Sequence, residues 1–371
     1  MKRVLHITNW YPNEWDSLEG IFISEQFKIF SHITDSRLVN IKVRNFNSFL
    51  KFKYIRYSSN EEGYYILTRI KSHKIIEIMT TILLIFVLIK SKYKDFDLLH
   101  FHIPYPMLSY YFIWKRFIKS KIVISEHYTA YHFNFYMPKD TKKLDRIKRI
   151  FRQDIPVISV SKALIDDIKT FSYSDFKSIV IPNVIDINYF FLKEKKIQNK
   201  IVKFFTVNNW RDIKNPFAML DGFLELNRSG IDFRLTLAGY GKLYIDIEKF
   251  VIKNNLSNKI KLLPKLDKEE ISNQLHLSDY YITSSKYETF SVVSAQAIMC
   301  GVPLISPPIS CILEYTDDKS HIKVYESWSK SLKYAIDNIN TFNREYISTM
   351  ANSYLSHQNI ERKYIEFLDE I

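Results

Sequence analysis

A chain of 371 residues with an apolar fraction of 46% has room for two domains of ordinary size and enough apolar material to build their cores, which excludes intrinsic disorder. Its two cysteines, Cys300 and Cys311, are too few for a disulfide framework or a four-cysteine zinc site and fit a reducing cytosol. The net charge of +13 is one-sided: residues 1–200 carry 33 Lys+Arg against 19 Asp+Glu, and residues 201–371 carry 20 against 21. Such a field suits an anionic partner (phospholipid, nucleic acid or a phosphorylated acceptor), although a lysine-rich solvated surface gives the same balance.

The N-terminus, Met1 to His6, has no apolar stretch of signal-peptide length. Arg3 to Ile7 reads as a strand, the polar stretch Asn9 to Gly20 as a loop, and Phe22, Gln26, Ile29 and Phe30 recur at helical spacing. Leu38–Val43 and Tyr64–Ile70 are further strands. The run Ile75 to Ile89 contains Glu77, Thr80 and Thr81, falls short of a membrane span, and reads as part of a buried core helix over 74–92. Asp97–His102 is a buried strand, Pro104 and Pro106 punctuate the loop after it, and Lys121–Ser125 and Val157–Val160 are two more strands, each before a helix. This alternation predicts a parallel sheet covered on both faces. A lysine-rich stretch, 191–201, reads as a linker, with Lys193, Lys195, Lys196 and Lys200. The pattern then restarts with strands at 204–207, 235–238, 259–263 and 280–283, a helix at 216–226, and helices over the last 40 or so residues. The expected division is 1–192, 193–350, and a C-terminal helical segment 351–371 packing back toward the first domain.

Ligands of open α/β sheets sit beyond the carboxyl ends of the strands. After the strand ending near Thr283, Ser284-Ser285-Lys286-Tyr287-Glu288-Thr289-Phe290-Ser291 leads straight into a helix that Gly301 and Pro303 stop. A helix start at such a turn offers free N–H groups and a positive dipole end, which suits a diphosphate. Glu288 precedes that start and Gln296 lies two turns on. By itself Glu288 is equally a carboxylate favoured by the helix dipole.

This stretch resembles the donor-binding signature of retaining glycosyltransferases of family 4, glycosyl transferases group 1, whose pattern is Glu, seven residues, a second Glu, then a small residue, Gly and Pro. Here it reads Glu288, seven residues, Gln296, then Cys300-Gly301-Val302-Pro303. Val207 to Pro216 resembles the family's phosphate loop, with Lys214 kept and Asn209 where the family has Arg; Arg211 is a substitute cation. Pro182–Phe190, Asp97–His102, Ser125–Thr129 and Tyr11–Phe22 resemble further family segments, so the likeness runs from residue 3 to about 305.

The resemblance implies an α/β GT-B fold, two facing Rossmann-like domains with an interdomain cleft. It implies that Glu288 contacts the donor sugar and that the backbone at Thr289, Phe290, Ser291 and Val292 holds the diphosphate together with Lys214. Gln296 stands where the second acid holds the ribose; an amide still bonds a diol, without the charge assistance. Ser291 replaces the usual Gly. His127 matches a histidine near the donor sugar, and Gly20 with Ile21 lies in the first glycine loop, on the acceptor side. The implied reaction moves a sugar, with retention, from a nucleoside-diphosphate donor to a saccharide or polyprenyl-linked saccharide acceptor in surface polysaccharide assembly. No cofactor beyond the nucleotide sugar and no nucleic-acid partner is expected. Location is expected to be cytoplasmic, with peripheral binding at the inner face of the plasma membrane. A sugar-nucleotide epimerase of related fold, a basic nucleic-acid-binding protein and an inactive donor-binding relative stay open.

Other candidates have simpler readings. His127 alone is as readily a packing residue. Gly239 and Gly241 form a phosphate-type pair or a tight turn that lets the domains approach. Ser161 caps a helix. His100 and His102 alternate on one strand face with no third partner, which speaks against a metal. Asp95-Phe96-Asp97 precedes a strand and reads as a loop, so no metal site is expected. Tyr131–Tyr136 followed by Lys139, Lys142, Lys143, Arg146 and Arg149 reads either as an anionic-membrane contact or as a solvated helix with core-facing aromatics.

Overall fold

A computed structural model describes residues 1–371 except 48, 91, 92, 94, 137–139 and 195–200. Lys139, Lys195, Lys196 and Lys200 therefore lie outside the described residues. The chain divides into two units, one of residues 1–184 with 360–371 and one of residues 185–359. The division falls at Val184–Ile185 rather than after residue 192, and the expected C-terminal segment is split, only residues from Ile360 onward joining the first unit.

The first unit is built on strands β1 (Arg3–Thr8), β2 (Asp35–Asn45), β3 (Lys51–Arg56), β4 (Glu61–Thr68), β5 (Leu98–His102), β6 (Lys121–Glu126), β7 (Val157–Ser159) and β8 (Ser178–Val180), in the order β3-β4-β2-β1-β5-β6-β7-β8. All neighbours are parallel except β3 with β4. β5 is buried at all five residues, as a parallel strand covered on both faces must be. Helix α1 (Ile21–Ile33) follows β1, and helix α2 (His73–Leu88) leads toward β5. The last helix, His357–Glu370, contributes Ile360, Tyr364, Phe367 and Leu368 to the core around Val4, Phe30 and Val123, with Tyr364 stacked on Phe30 at 3.7 Å.

Helix α2 departs from the buried core helix read from its composition. Glu77, Thr80 and Thr81 face inward, and Ile75, Ile78, Ile82, Phe86 and Ile89 are exposed. Glu77 is matched inside the fold by Arg146 at 3.0 Å and by the Tyr105 hydroxyl at 2.8 Å. Among the described residues no helix is long and apolar enough to cross a membrane.

The second unit holds β9 (Lys203–Asn209), β10 (Arg234–Tyr240), β11 (Ile260–Leu263), β12 (Tyr280–Ile282), β13 (Leu304–Ser306) and β14 (His321–Lys323), in the order β11-β10-β9-β12-β13-β14, all parallel. Counted from β9 this is the doubly wound order 3-2-1-4-5-6. Phe204, Phe223, Phe233, Leu235 and Tyr280 form the centre of its core.

Candidate functional site

In a sheet of order 3-2-1-4-5-6 the strand order reverses between the first and fourth strands, and loops leaving their carboxyl ends diverge and leave a crevice. In the second unit those strands are β9 and β12, so the loops that matter are 210–215 and 283–291. They carry Lys214 and Glu288. The Lys214 ammonium lies 2.5 Å from Glu288 Oε1, and both side chains are largely buried, 15% and 13% exposed. Ser285 Oγ donates to the same carboxylate oxygen at 2.6 Å. Ser284 Oγ donates to Lys214 O at 2.7 Å, and Lys286 N–H donates to Ile213 O at 2.8 Å, which ties one loop to the other. Ser284 and Ser285 were not singled out from sequence; their adjacency to Glu288 was the available signal.

Beyond Glu288 the chain turns at Ser291, which sits in the left-handed region at φ 64, and enters the helix Val292–Met299. The first intrahelical bond runs from Ala295 N–H to Ser291 O at 3.1 Å. The N–H groups of Val292, Val293 and Ser294 precede it, which is the geometry of an anion-receiving helix start. Phe290 is buried against Tyr315, whose hydroxyl donates to Phe290 O at 2.7 Å and holds the turn. Thr289 is half-buried. Gln296 is buried on the same helix, and its side-chain oxygen has no hydrogen-bond partner among the described residues. A buried unmatched amide oxygen costs about 1–3 kcal/mol, so a ligand hydroxyl there would be gained cheaply.

Of the other predicted donor residues, Asn209 closes β9 and packs beside Gly241, where an added Cβ would stand 2.6 Å from Asn209 Oδ1. Arg211 is exposed and contributes its carbonyl, which accepts Lys214 N–H at 2.8 Å. Gly239 has φ 128, and a Cβ there would stand 1.9 Å from Asn208 O. The close approach these glycines permit within the second unit is to the backbone and side chains of residues 208–210, at the end of β9.

In the first unit, Gly20 stands at φ 60 where α1 begins, and a Cβ there would lie 2.4 Å from Trp10 O, so only glycine fits. Ile21 opens the helix and Phe22 packs on His127 in a tilted arrangement, ring centroids 4.6 Å apart and planes at 37°. The glycine loop and His127 are therefore neighbours. His127 is buried, which pushes its pKa down to about 3 against an opposing hydrogen bond with Asn183. Next to it, Glu126 is fully buried. Burial raises its pKa to about 7, although it accepts the Tyr131 hydroxyl and the N–H groups of His127 and Tyr128.

His100 and His102 do have a third partner. The β1–β5 register sets His6 opposite His100, and the three imidazoles offer ring nitrogens within 4.8 Å of one another. The expectation of no third partner is thereby corrected; nothing in strand alternation alone reveals a residue 94 positions away. Yet five of the six ring nitrogens are already engaged. His6 Nδ1 meets His102 Nε2 at 3.0 Å and His6 Nε2 meets Ser36 at 3.2 Å, while His100 bonds Tyr364 at 3.0 Å and Ser125 at 2.6 Å. A metal would have to break these bonds; the arrangement fits a chain of neutral histidines, held so by burial. Asp97, in the loop before β5, accepts Arg3 N–H at 2.8 Å. Tyr131 and Phe135 turn inward while Tyr136 is exposed, Lys143 is buried, Arg146 pairs with Glu77 and Arg149 with Asp145.

Two family descriptions match in tandem, Glycosyltransferase Family 4 over residues 64–189 and Glycosyl transferases group 1 over residues 190–347. The chain has the two-domain GT-B fold, and residues 64–347 match these two glycosyltransferase domain descriptions end to end. N-acetyl-alpha-D-glucosaminyl L-malate synthase of Bacillus anthracis is 24% identical over 230 residues, 60% of this chain and 59% of that protein. The curated relatives are matched over only 25% to 59% of their own length. Among solved structures, sucrose-phosphate synthase from Thermosynechococcus elongatus superposes with a TM-score of 0.79 at 12% identity, over 100% of this chain and 99% of that one. Anabaena HepE in complex with UDP-glucose gives 0.72 at 12% identity, over 100% of both. At these identities the likeness is one of fold.

Proposed function

We propose that this GT-B chain transfers a sugar from a nucleoside-diphosphate donor to a saccharide or polyprenyl-linked saccharide acceptor, with retention, during bacterial surface-polysaccharide assembly. The observation that carries this reading is the Lys214–Glu288 pair at the β9–β12 switch point, next to the helix start at Val292. A lysine and a row of N–H groups suit a diphosphate, and a carboxylate held by Ser285 suits sugar hydroxyls. Gln296 offers its unmatched oxygen to a ribose diol. As the glycosidic bond breaks, negative charge grows on the leaving diphosphate, and Lys214 with the helix dipole stabilises it. Asn209 and Arg211 border the phosphates, and the backbone at Thr289, Phe290 and Ser291 shapes the turn that receives them. In the first unit, Gly20, Ile21 and His127 face the acceptor; burial keeps His127 neutral and able to donate or accept a hydrogen bond. The family habit of working without a metal is carried over, as is a cytoplasmic location.

Turnover measured over a panel of nucleotide sugars with polyprenyl-linked acceptors tests the reading. Glu288→Ala should lower the rate by about 100-fold or more; near-normal turnover would reject the role. Conversion of a donor without any acceptor into a different sugar nucleotide would instead favour an epimerase.

A further inference from the structure

A surface helix normally shows polar residues to water and apolar ones to the core. Helix α2 does the reverse. At 100° per residue, Ile75, Ile78, Ile82, Phe86 and Ile89 fall within an arc of about 80°, and all five are exposed, from 40% to 61%. The stripe is roughly 20 Å long at 1.5 Å per residue. It continues onto edge strand β3, where exposed Phe52 meets Phe86 edge-on at 5.9 Å. A contiguous apolar face of this kind marks an interaction site. Every exposed charge from residue 69 to 90 is positive: Arg69, Lys71 and Lys74 lie at the amino end of the helix. The one acid in that stretch, Glu77, is buried and paired with Arg146. At the carboxyl end, the Lys90 ammonium sits 4.7 Å over the Phe86 ring, its stem along the apolar face.

We infer that α2 with β3 is a membrane-docking face that lies flat in the interface of an anionic phospholipid bilayer, Ile82 and Phe86 entering the acyl boundary and Lys71 and Lys74 meeting the headgroups. Apolar side chains backed by cations match that surface in both its layers. A second copy of this chain matches it less well, because the same cations would oppose one another across the contact. The face lies outside the sugar-nucleotide site and is distinct from the segment that holds Tyr131 and Phe135, both of which are turned inward.

Flotation of the full chain with vesicles of phosphatidylcholine alone, or of phosphatidylcholine with phosphatidylglycerol, is the test. Recovery is expected on the anionic vesicles, falling with added salt, and Ile82→Glu or Phe86→Glu should weaken it by about tenfold or more while leaving the thermal midpoint unchanged. Lys71→Glu with Lys74→Glu should remove the preference for anionic lipid. Ile82→Ser serves as a milder variant if Ile82→Glu fails to fold. No recovery on either vesicle, equal recovery on both, or wild-type recovery of a folded Ile82 variant would each overturn the inference. So would a dimer in sedimentation velocity that Ile82→Glu dissolves while vesicle recovery stays nil.

Discussion

Ser291 occupies a backbone position that favours glycine. At φ 64 and ψ 73 its Cβ is in the sparsely populated left-handed region, and its hydroxyl is held by Ser294 at 2.7 Å. Ser291→Gly should therefore raise stability by about 0.5–1 kcal/mol, read as a higher midpoint in denaturant; a lower midpoint would show that the Ser294 contact outweighs the strain. Gln296 gives a second prediction at this scale. Gln296→Glu places a carboxylate where a diol is proposed to bind, and charge-assisted hydrogen bonds are about twice as strong as neutral ones. Donor affinity by calorimetry should rise by roughly fivefold, a gain of about 1 kcal/mol; unchanged or weaker affinity would place the ribose elsewhere. Glu288 and Lys214 stand out in the sequence through the resemblance to the family's motifs, in which each has a fixed place. Ser284 and Ser285 do not, because a serine at the end of a strand has no chemical signature until its partner is seen.

At the scale of elements, the sheets were largely readable and the exceptions have physical causes. Long apolar runs such as 98–102 announce buried parallel strands, whereas β3 is an edge strand with exposed Lys51, Phe52 and Tyr54, and β8 and β14 have three residues each. Short or edge strands carry too little pattern to detect. Helix α2 differs from its sequence reading because its few polar residues, Glu77, Thr80 and Thr81, are the ones turned inward, and composition does not say which face turns inward. The histidine cluster was half legible: the pair in β5 shows in sequence, and His6 joins it only through strand pairing. That cluster predicts a pH response. Burial lowers His6 and His127 to about 3 and holds His100 and His102 well below the ordinary 6.5. Below pH 6.5 the unfolded chain binds protons that the folded chain refuses, so stability falls as pH drops from 6.5 toward 3. Glu126, raised to about 7, opposes this between 4.5 and 7, because its neutral form is the one the fold prefers. Four imidazoles against one carboxyl leave a net loss of up to about 4 kcal/mol per pH unit. Thermal unfolding of the first unit should shift down by several degrees between pH 7 and pH 5.5, and an unshifted or higher midpoint would contradict the burial account. Gly20→Ala should destabilise the same unit, since its Cβ would collide with Trp10 O.

For the whole molecule, the tandem domains, the switch-point site of the second unit and the basic first unit divide the work in a way that composition alone hinted at. The cationic excess of residues 1–200 belongs to the half that carries the α2 face, and the near-neutral half carries the residues proposed to bind the donor. The proposal of a metal-independent reaction predicts that turnover persists in chelator, and a loss restored by a divalent cation would overturn that expectation. The central claim is that Lys214, Glu288 and the helix start at Val292 bind a nucleoside diphosphate sugar. Calorimetric titration of the full chain with UDP-, GDP-, ADP- and dTDP-sugars tests it most directly. One donor class should bind, and Lys214→Ala should weaken that binding by about tenfold or more without lowering the thermal midpoint. Failure of every donor to bind, or equal binding by a folded Lys214→Ala chain, would contradict it.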